Sequence, residues 1–343
     1  MKVLLYSEGM KYISKSGLGR AIKHQMKALE LNNIEYTTNP KDDFDLMHIN
    51  TFWFKSYFMA KKCRKIGKKV VYHAHSTEED FRNSFMFSNL VSPIFKKWIM
   101  KCYNLGDHIL TPTEYSKSIL EGYGIKKPIT AVSNGIELDF FKYDYEGGQK
   151  FRESFGFSKD DKVIIAVGLY IERKGILDFV ELAKRMPEYK FVWFGYTPLY
   201  QVPHKVRKAV KTKLDNLYFP GYIEPEIFRN AYSGADVFLF PTYEETEGIV
   251  LLEALSSKQN VIVRDIPIFK NLITDGKNAY KAKTNDEFEE KIRGIVSGKL
   301  PCLKEEGYKI VENKNLDMIG KQLIEVYEKT LGIEKEKKES YSA

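Results

Sequence analysis

Residues 241–255 read PTYEETEGIVLLEAL and stand directly after the apolar run Val237–Phe240. Within a few positions the pattern passes from an unbroken apolar run to a polar loop, then to Gly248 and an apolar helical stretch. A short run that is apolar throughout reads as a strand buried on both faces of a parallel sheet. A strand whose loop leads straight into a helix is half of a βαβ unit. The same order recurs upstream and downstream. Strands are predicted at Val3–Tyr6, Leu46–Ile49, Val70–His73, His108–Thr111 and Ile129–Val132. They are predicted again at Val163–Val167, Phe191–Phe194, Leu217–Phe219, Val237–Phe240, Val261–Val263 and Ala279–Lys281. The restart near residue 162 predicts two doubly wound α/β domains, 1–150 and 151–315. The polar segment Asp144–Asp161, with Gly147 and Gly148 paired, reads as a linker plus the first helix of the second domain. Apolar spacing at Ile319, Leu323, Val326 and Tyr327 predicts a last helix over 316–332, expected to pack back toward the N-terminal domain, and the Lys/Glu-rich stretch 333–343 reads as a frayed tail.

With 343 residues, 43% hydrophobic and 29% charged, the chain is long enough to bury a sizeable core, and no apolar run approaches a membrane span. The opening MKVLLYSEGM is too short in apolar residues for a signal peptide and reads as the first strand. Cys63, Cys102 and Cys302 are odd in number and widely spaced, which fits neither a disulfide framework nor a zinc site and does fit a reducing cytoplasm. The net charge of +8 is uneven: residues 51–106 hold 11 basic and 3 acidic residues, interleaved with aromatics such as Trp53, Phe54, Phe87 and Trp98. Such a region suits an anionic partner, either a lipid bilayer or a nucleic acid. No recognisable nucleic-acid-binding motif is present.

Ligands of open α/β sheets bind beyond the carboxyl ends of the strands, so the loops there carry the chemistry. In 241–255, Gly248 and the helix start offer free N–H groups to an anion. Glu245 and Glu253 offer carboxylates to sugar or ribose hydroxyls. Glu244, Glu245 and Glu247 read equally as solvent-exposed loop acids. In GLYIERKGI (168–176), Arg173 and Lys174 suit a pyrophosphate or form a plain surface pair. In KSGLGR (15–20), small residues could cradle a phosphate before a helix near Ala21, though the spacing is not that of a dinucleotide fingerprint. In YHAHSTEED (72–80), His75 follows a strand directly; it reads as structural or, at a strand's carboxyl end, as catalytic. No metal-ligand spacing accompanies it. Asp43-Phe44-Asp45 sits at the amino end of a strand and reads as solvated. Asn134-Gly135 reads as a tight turn.

Together these residues resemble the retaining family 4 glycosyltransferases of GT-B fold, along nearly the whole chain. TPTEYSK (111–117) resembles the family's strand-turn-helix, SNGIELDFF (133–141) its Asn-Gly loop, ERKGI (172–176) its phosphate-binding Lys-Gly, and EETEGIVLLEAL (244–255) its E-x7-E signature. HAHSTEEDFRNSF (73–85) and the overall length are similar to the bacterial glycolipid synthases that glycosylate diacylglycerol or glucosyl-diacylglycerol.

The resemblance implies two Rossmann-like domains with parallel sheets facing across a cleft. It implies a UDP-hexose donor, UDP-galactose or UDP-glucose, with no tightly bound cofactor, no metal site, and a divalent cation at most as a stimulant. Glu253 would hold the ribose, Glu245 the transferred hexose, and Lys174 the diphosphate, with Gly248, Ile249 and Val250 nearby. Gly221, Tyr222 and Ile223 would flank the uracil, Gly17 would approach the distal phosphate, Asn134 would join the donor site, and His75 would sit by the reaction centre. Two positions depart from the family pattern. Leu169 stands where an Arg is usual, with Arg173 as the substitute, and Ser16 replaces the first Gly of the usual pair. The implied reaction adds a hexose to glucosyl-diacylglycerol and forms an α-linked diglycosyl lipid. Its alternatives are the first step on diacylglycerol, a soluble or wall polysaccharide acceptor, and, outside enzymology, a basic nucleic-acid-binding protein. The basic stretch then has a use. Over Ser88–Asn104, apolar Leu90, Ile94, Phe95, Trp98 and Ile99 alternate with Lys96, Lys97 and Lys101. Lys96, Lys97, Trp98 and Lys101 are expected to face an anionic membrane, placing the protein peripherally on the inner face of the cell membrane; an ordinary half-buried helix is the other reading.

Overall fold

The computed structural model describes residues 1–14 and 16–333. Lys15 and the tail from 334 on, expected to be frayed, lie outside the described residues. The chain divides into two compact units: the first holds Met1–His75, Lys97–Asn134 and the chain from Leu316, the second Ser76–Lys96 and Gly135–Asn315.

The first unit is built on a six-stranded sheet of β1 (Lys2–Tyr6), β2 (Glu35–Thr37), β3 (Leu46–Ile49), β4 (Lys69–His73), β5 (His108–Thr111) and β6 (Ile129–Ala131). The second is built on β7 (Val163–Val167), β8 (Lys190–Phe194), β9 (Leu217–Gly221), β10 (Val237–Phe240), β11 (Val261–Arg264) and β12 (Tyr280–Ala282). The orders are β2-β1-β3-β4-β5-β6 and β12-β11-β10-β7-β8-β9. Each named neighbour pair runs parallel, for instance Val3 against Leu46 and Phe238 against Val261. All carboxyl ends of one sheet therefore lie along one edge. The order reverses direction between β1 and β3 in the first sheet and between β10 and β7 in the second. Connections leave such a pair in opposite directions, which opens a crevice for ligands at that point.

The central strands are apolar because both faces are covered: β3, β5, β10 and β11 are buried at every position. The predicted strands are present, most of them within a residue or two. β2 is a strand that sequence reading lacks. It has three residues at a sheet edge, and Glu35 is exposed. Asp43 and Asp45 flank the start of β3, where Asp45 accepts a hydrogen bond from the Lys2 backbone N–H at 2.7 Å.

The division between the units falls at Asn134/Gly135 instead of the expected 150/151. The reason is the helix Tyr145–Phe155, capped by Asp144, whose side chain accepts from the Gly147 N–H at 3.0 Å. Gly147 and Gly148 lie inside this helix and are not a linker. A side chain at Gly148 would come within 2.9 Å of the Ser233 backbone, so the pair lets the helix lie against Pro225–Gly234. Arg152 fastens the contact by donating to the Gly234 carbonyl at 2.8 Å and pairing with Asp236 at 2.8 Å. A second departure is that Ser76–Lys96 is counted with the second unit.

The helix Leu316–Leu331 belongs to the first unit. Its buried stripe, Leu316, Ile319, Leu323, Val326 and Tyr327, joins the core of Val3, Leu5 and Leu46 together with Ala28 and Leu29 of the helix Gly17–Leu31. Removing a fully buried leucine leaves a cavity that the surroundings fill only in part, at a cost of about 2–5 kcal/mol. Leu323→Ala is therefore expected to lower the denaturant midpoint of the first unit without changing the slope, read by urea titration; an unchanged midpoint would show that this helix contributes nothing to that core.

Candidate active site

In the second unit the loops after β7 and β10 emerge side by side at the switch point and carry the charged residues singled out above. After β7 the chain makes a short 3₁₀ turn, Glu172–Lys174, and reaches Gly175 at φ 80°. A side chain at Gly175 would lie 2.3 Å from the Pro241 carbonyl, so only glycine lets the two loops meet this closely. The backbone N–H of Tyr243 donates to the Arg173 carbonyl at 2.8 Å, which ties one loop to the other. Lys174 and Glu245, distant in sequence, are thereby brought into a direct ion pair. Thr242 Oγ1 donates to the same carboxylate at 3.1 Å. Arg173 lies 3.9 Å from the other Glu245 oxygen and donates to the Glu244 carbonyl at 2.6 Å.

The cluster is desolvated. Burial pulls the Lys174 ammonium below the ordinary lysine range and Arg173 adds to the effect, while Glu245 opposes both. Glu245 and Glu247 are buried, which overturns their reading as solvent-exposed loop acids; Glu244 is half-buried. Asp80 completes the set and has no counterpart in the sequence reading. Burial pushes its carboxyl above the usual range, against the attraction of Arg173 and Lys174. Its segment is seated on the cluster: the Arg173 backbone N–H donates to the Asn83 carbonyl at 3.1 Å, Arg173 Nε donates to Ser84 Oγ at 3.1 Å, and Ser84 Oγ donates to the Asp80 carbonyl at 2.9 Å. Within the acid run EED nothing but tertiary contact distinguishes Asp80.

Glu253 takes other partners. It is fully buried in the helix Ile249–Ser256, and Tyr232 donates its hydroxyl to the carboxylate at 2.9 Å. Gly248 caps that helix at φ 85°, and Ile249 and Val250 begin its first turn, where N–H groups have no partner within the helix. Gly221 ends β9 at φ 82°, with Tyr222 exposed and Ile223 half-buried beyond it, on the same carboxyl edge two strands from β7. Leu169, the departure from the family pattern, is exposed.

In the first unit His75 follows β4. Its Nε2 lies 2.8 Å from Asn50 Oδ1, and its ring stacks on His73 with centroids 3.9 Å apart. Burial pushes its pKa down to about 3, so the imidazole is neutral. Asn134 offers its carbonyl to His24 Nδ1 at 3.1 Å. Gly17 is the first residue of its helix, which starts earlier than expected because Ser16 caps it, and a side chain there would meet nothing within 4 Å.

The helix Ser88–Tyr103 departs from its expected membrane face. Trp98 is not presented outward: its Nε1 donates to the Phe52 carbonyl at 2.6 Å and its ring packs on Phe54 and Tyr57. Lys96 pairs with buried Glu78 at 3.3 Å. Ile99 is fully buried. The outward stripe is Leu90 (78% exposed), Val91 and Ile94 (69%), with Phe87 just before it, and it continues into exposed Lys97 and Lys101.

The model of the family described as "Glycosyl transferases group 1" matches residues 148–328, and that of "Glycosyltransferase Family 4" matches 24–140. The chain is a family 4 glycosyltransferase. The transferase is 42% identical to a processive diacylglycerol alpha-glucosyltransferase of Acholeplasma laidlawii, over 98% of this chain and 100% of that one. It is 25% identical to an alpha-galactosylglucosyldiacylglycerol synthase of Streptococcus pneumoniae, over 79% of this chain and 73% of that one. In fold it is similar to Anabaena HepE, solved in complex with UDP and glucose, with a TM-score of 0.74 at 14% identity, covering 96% of this chain and 100% of that one. The transferase accordingly has the GT-B type of fold.

The opposing effects on Lys174 give a measurable outcome. In a lysine 13C NMR titration, Lys174 is expected to titrate below the exposed lysines, and lower still in Glu245→Gln, because the carboxylate that favours the charged form is gone. Between its lowered pKa and the ordinary lysine value the unfolded chain binds the extra proton, so this group's contribution to stability rises with pH across that window. A Lys174 signal coincident with the surface lysines would contradict the desolvated cluster.

Proposed function

We propose that the protein is a retaining glucosyltransferase that moves α-glucose from UDP-glucose to diacylglycerol, and then to its own glucosylated product, at a membrane surface. The observation that carries this reading is the end-to-end 42% identity with a processive diacylglycerol alpha-glucosyltransferase. It favours glucose over galactose, and it favours diacylglycerol as a first acceptor over an acceptor that is already glycosylated.

The charged cluster supplies the chemistry. Before donor binds, Lys174 and Arg173 are paired with Glu245. A diphosphate arriving at the Gly248–Val250 helix start competes for the two cations and leaves Glu245 to accept a hydrogen bond from a sugar hydroxyl. Charge on the departing diphosphate is then met by fixed cations and helix N–H groups in a desolvated site, where such interactions count most. Glu253 is assigned to the ribose and Gly221–Ile223 to the uracil. The bond from C1 to the phosphate oxygen breaks and a bond from C1 to the acceptor oxygen forms on the same face. The acceptor proton passes to the leaving phosphate oxygen. By the family resemblance His75 is assigned to the reaction centre, Gly17 to the distal phosphate and Asn134 to the donor.

Incubation with UDP-glucose or UDP-galactose and vesicles of diacylglycerol or glucosyl-diacylglycerol, read by mass spectrometry, tests the reaction. Mono- and diglucosyl lipids are expected from UDP-glucose and diacylglycerol, with Lys174→Ala lowering the rate by about 10²–10³-fold. Galactolipid alone, or no lipid product at all, would refute the assignment.

Among the described residues no helix is long and apolar enough to cross a membrane. The exposed stripe Leu90–Ile94, followed by Lys97 and Lys101, is proposed to lie on an anionic leaflet, each lysine contributing about 1 kcal/mol. At low salt the protein is expected to float with phosphatidylglycerol vesicles, and Lys97→Glu/Lys101→Glu to stay at the bottom of the gradient. Equal flotation of the two would remove this surface from consideration.

A further inference from the structure

His75 stands at one end of a polar chain that runs through the first unit. Its Nε2 faces Asn50 Oδ1. Asn50 and Gln25 form a reciprocal amide pair: Gln25 Nε2 donates to Asn50 Oδ1 at 2.9 Å, and Asn50 Nδ2 donates to Gln25 Oε1 at 2.9 Å. Gln25 Nε2 also donates to His73 Nδ1 at 3.0 Å. His48 Nε2 reaches that same Nδ1 at 3.2 Å, and the Tyr327 hydroxyl closes the chain on His48 Nδ1 at 2.6 Å. Four separate elements supply these groups: the helix Gly17–Leu31, β3 with the residue after it, β4 with the loop after it, and the helix Leu316–Leu331.

Proton positions follow from what each atom is able to do. An amide oxygen only accepts, so the His75 nitrogen facing Asn50 carries the hydrogen. Burial keeps the ring neutral, so Nδ1 is left as a lone pair. His73 Nδ1 accepts from Gln25, which puts the His73 hydrogen on Nε2, a buried atom with no hydrogen-bond partner among the described residues. His48 donates from Nε2 and accepts from Tyr327 at Nδ1. Gln25 and His48 then share the one lone pair of His73 Nδ1, and each remaining contact joins a donor to an acceptor.

Gln25, His48, Asn50, His73 and Tyr327 are each at most 3% exposed, whereas His75 is half-buried. Five buried groups thus support the one member of the chain that reaches toward solvent. Apolar side chains would fill the same space without the penalty that attends any unmet polar group. The buried His73 Nε2 shows that this penalty is borne here.

We propose that Asn50 and Gln25 are positioning residues for His75: their amide pair fixes the plane and tautomer of the imidazole and presents Nδ1 as a hydrogen-bond acceptor for a sugar or lipid hydroxyl. This rests on the reading that His75 serves the transfer. The titratable groups facing His75 are His73, stacked on it, and His48 beyond, both held neutral by burial, with Tyr327 behind His48. A carboxylate in place of the Asn50 amide would hold His75 protonated and turn Nδ1 into a donor.

The test uses full-length protein labelled with 15N-histidine, together with glucosyl transfer measured against pH. In the wild type His75 is expected as the Nε2–H tautomer, without titrating between about pH 6 and 8, across the ordinary histidine range. Asn50→Asp is expected to make His75 cationic near neutrality and to add an acidic limb to kcat, lowering it at least about tenfold below that limb, with KM for UDP-glucose within about twofold. Asn50→Ala is expected to lower kcat by a similar factor without the new limb. A wild-type Nδ1–H tautomer, or an unchanged pH profile in folded Asn50→Asp, overturns the part given to the amide pair. If Asn50→Asp does not fold, the wild-type spectrum still decides. Full activity in His75→Ala overturns the transfer role of His75 itself, an outcome separate from the tautomer result.

Discussion

The buried pairing of Lys174 with Glu245 sets the terms for the second unit. Its sheet order puts β7 beside β10, and the connections from those strands run to opposite sides. The crevice between them is closed by side chains of opposite charge, each costly to bury alone. An ammonium taken out of water must be paired or lose its proton, and a carboxylate must be paired or gain one. Local features follow from that constraint. Gly175 lets the loops touch, Thr242 supplies a neutral hydrogen bond, Arg173 braces the Glu244 carbonyl, and Asp80 adds a second acid whose carboxyl burial pushes above the usual range. The cations of this cluster thus already have a counter-charge of their own.

The first unit solves the same geometric problem with neutral groups. Its order reverses between β1 and β3, and the side chains joined in a chain around β3 and β4 include amides and imidazoles. A charged crevice suits a diphosphate, whose leaving charge needs fixed cations. A neutral one suits hydroxyls, whose recognition depends on which atom donates and which accepts. Two all-parallel sheets, each with one point where the strand order reverses, thus present two chemistries, and the difference lies in the residues just past the strand ends.

Much of this is legible in the sequence, and the failures share a cause. Strands buried on both faces announce themselves as unbroken apolar runs, so β3, β7 and β10 are plain. β2 is not, because a three-residue edge strand has no such run. Lys174, Glu245 and His75 are legible because each directly follows a strand or its loop. Asp80, Asn50 and Gln25 are not, since their importance comes from what they meet across the fold. Gly147-Gly148 misleads for the same reason: two adjacent glycines mark a loop by local preference, and here they permit two helices to approach. Trp98 carries an amphipathic signature that fits a membrane face, and its indole N–H instead finds the Phe52 carbonyl. Periodicity tells which positions are alike. It does not tell which of two faces is covered.

The helix Leu316–Leu331 completes the core of a unit whose first strand begins at Lys2. A ribosome delivers those two pieces far apart in time. The second unit, spanning Ser76–Lys96 and Gly135–Asn315, has all of its chain outside the exit tunnel first. The unit that starts first is therefore the one whose chain is completed last. Val3, Leu5 and Leu46 lack part of their apolar cover until the segment Leu316–Leu331 has been made.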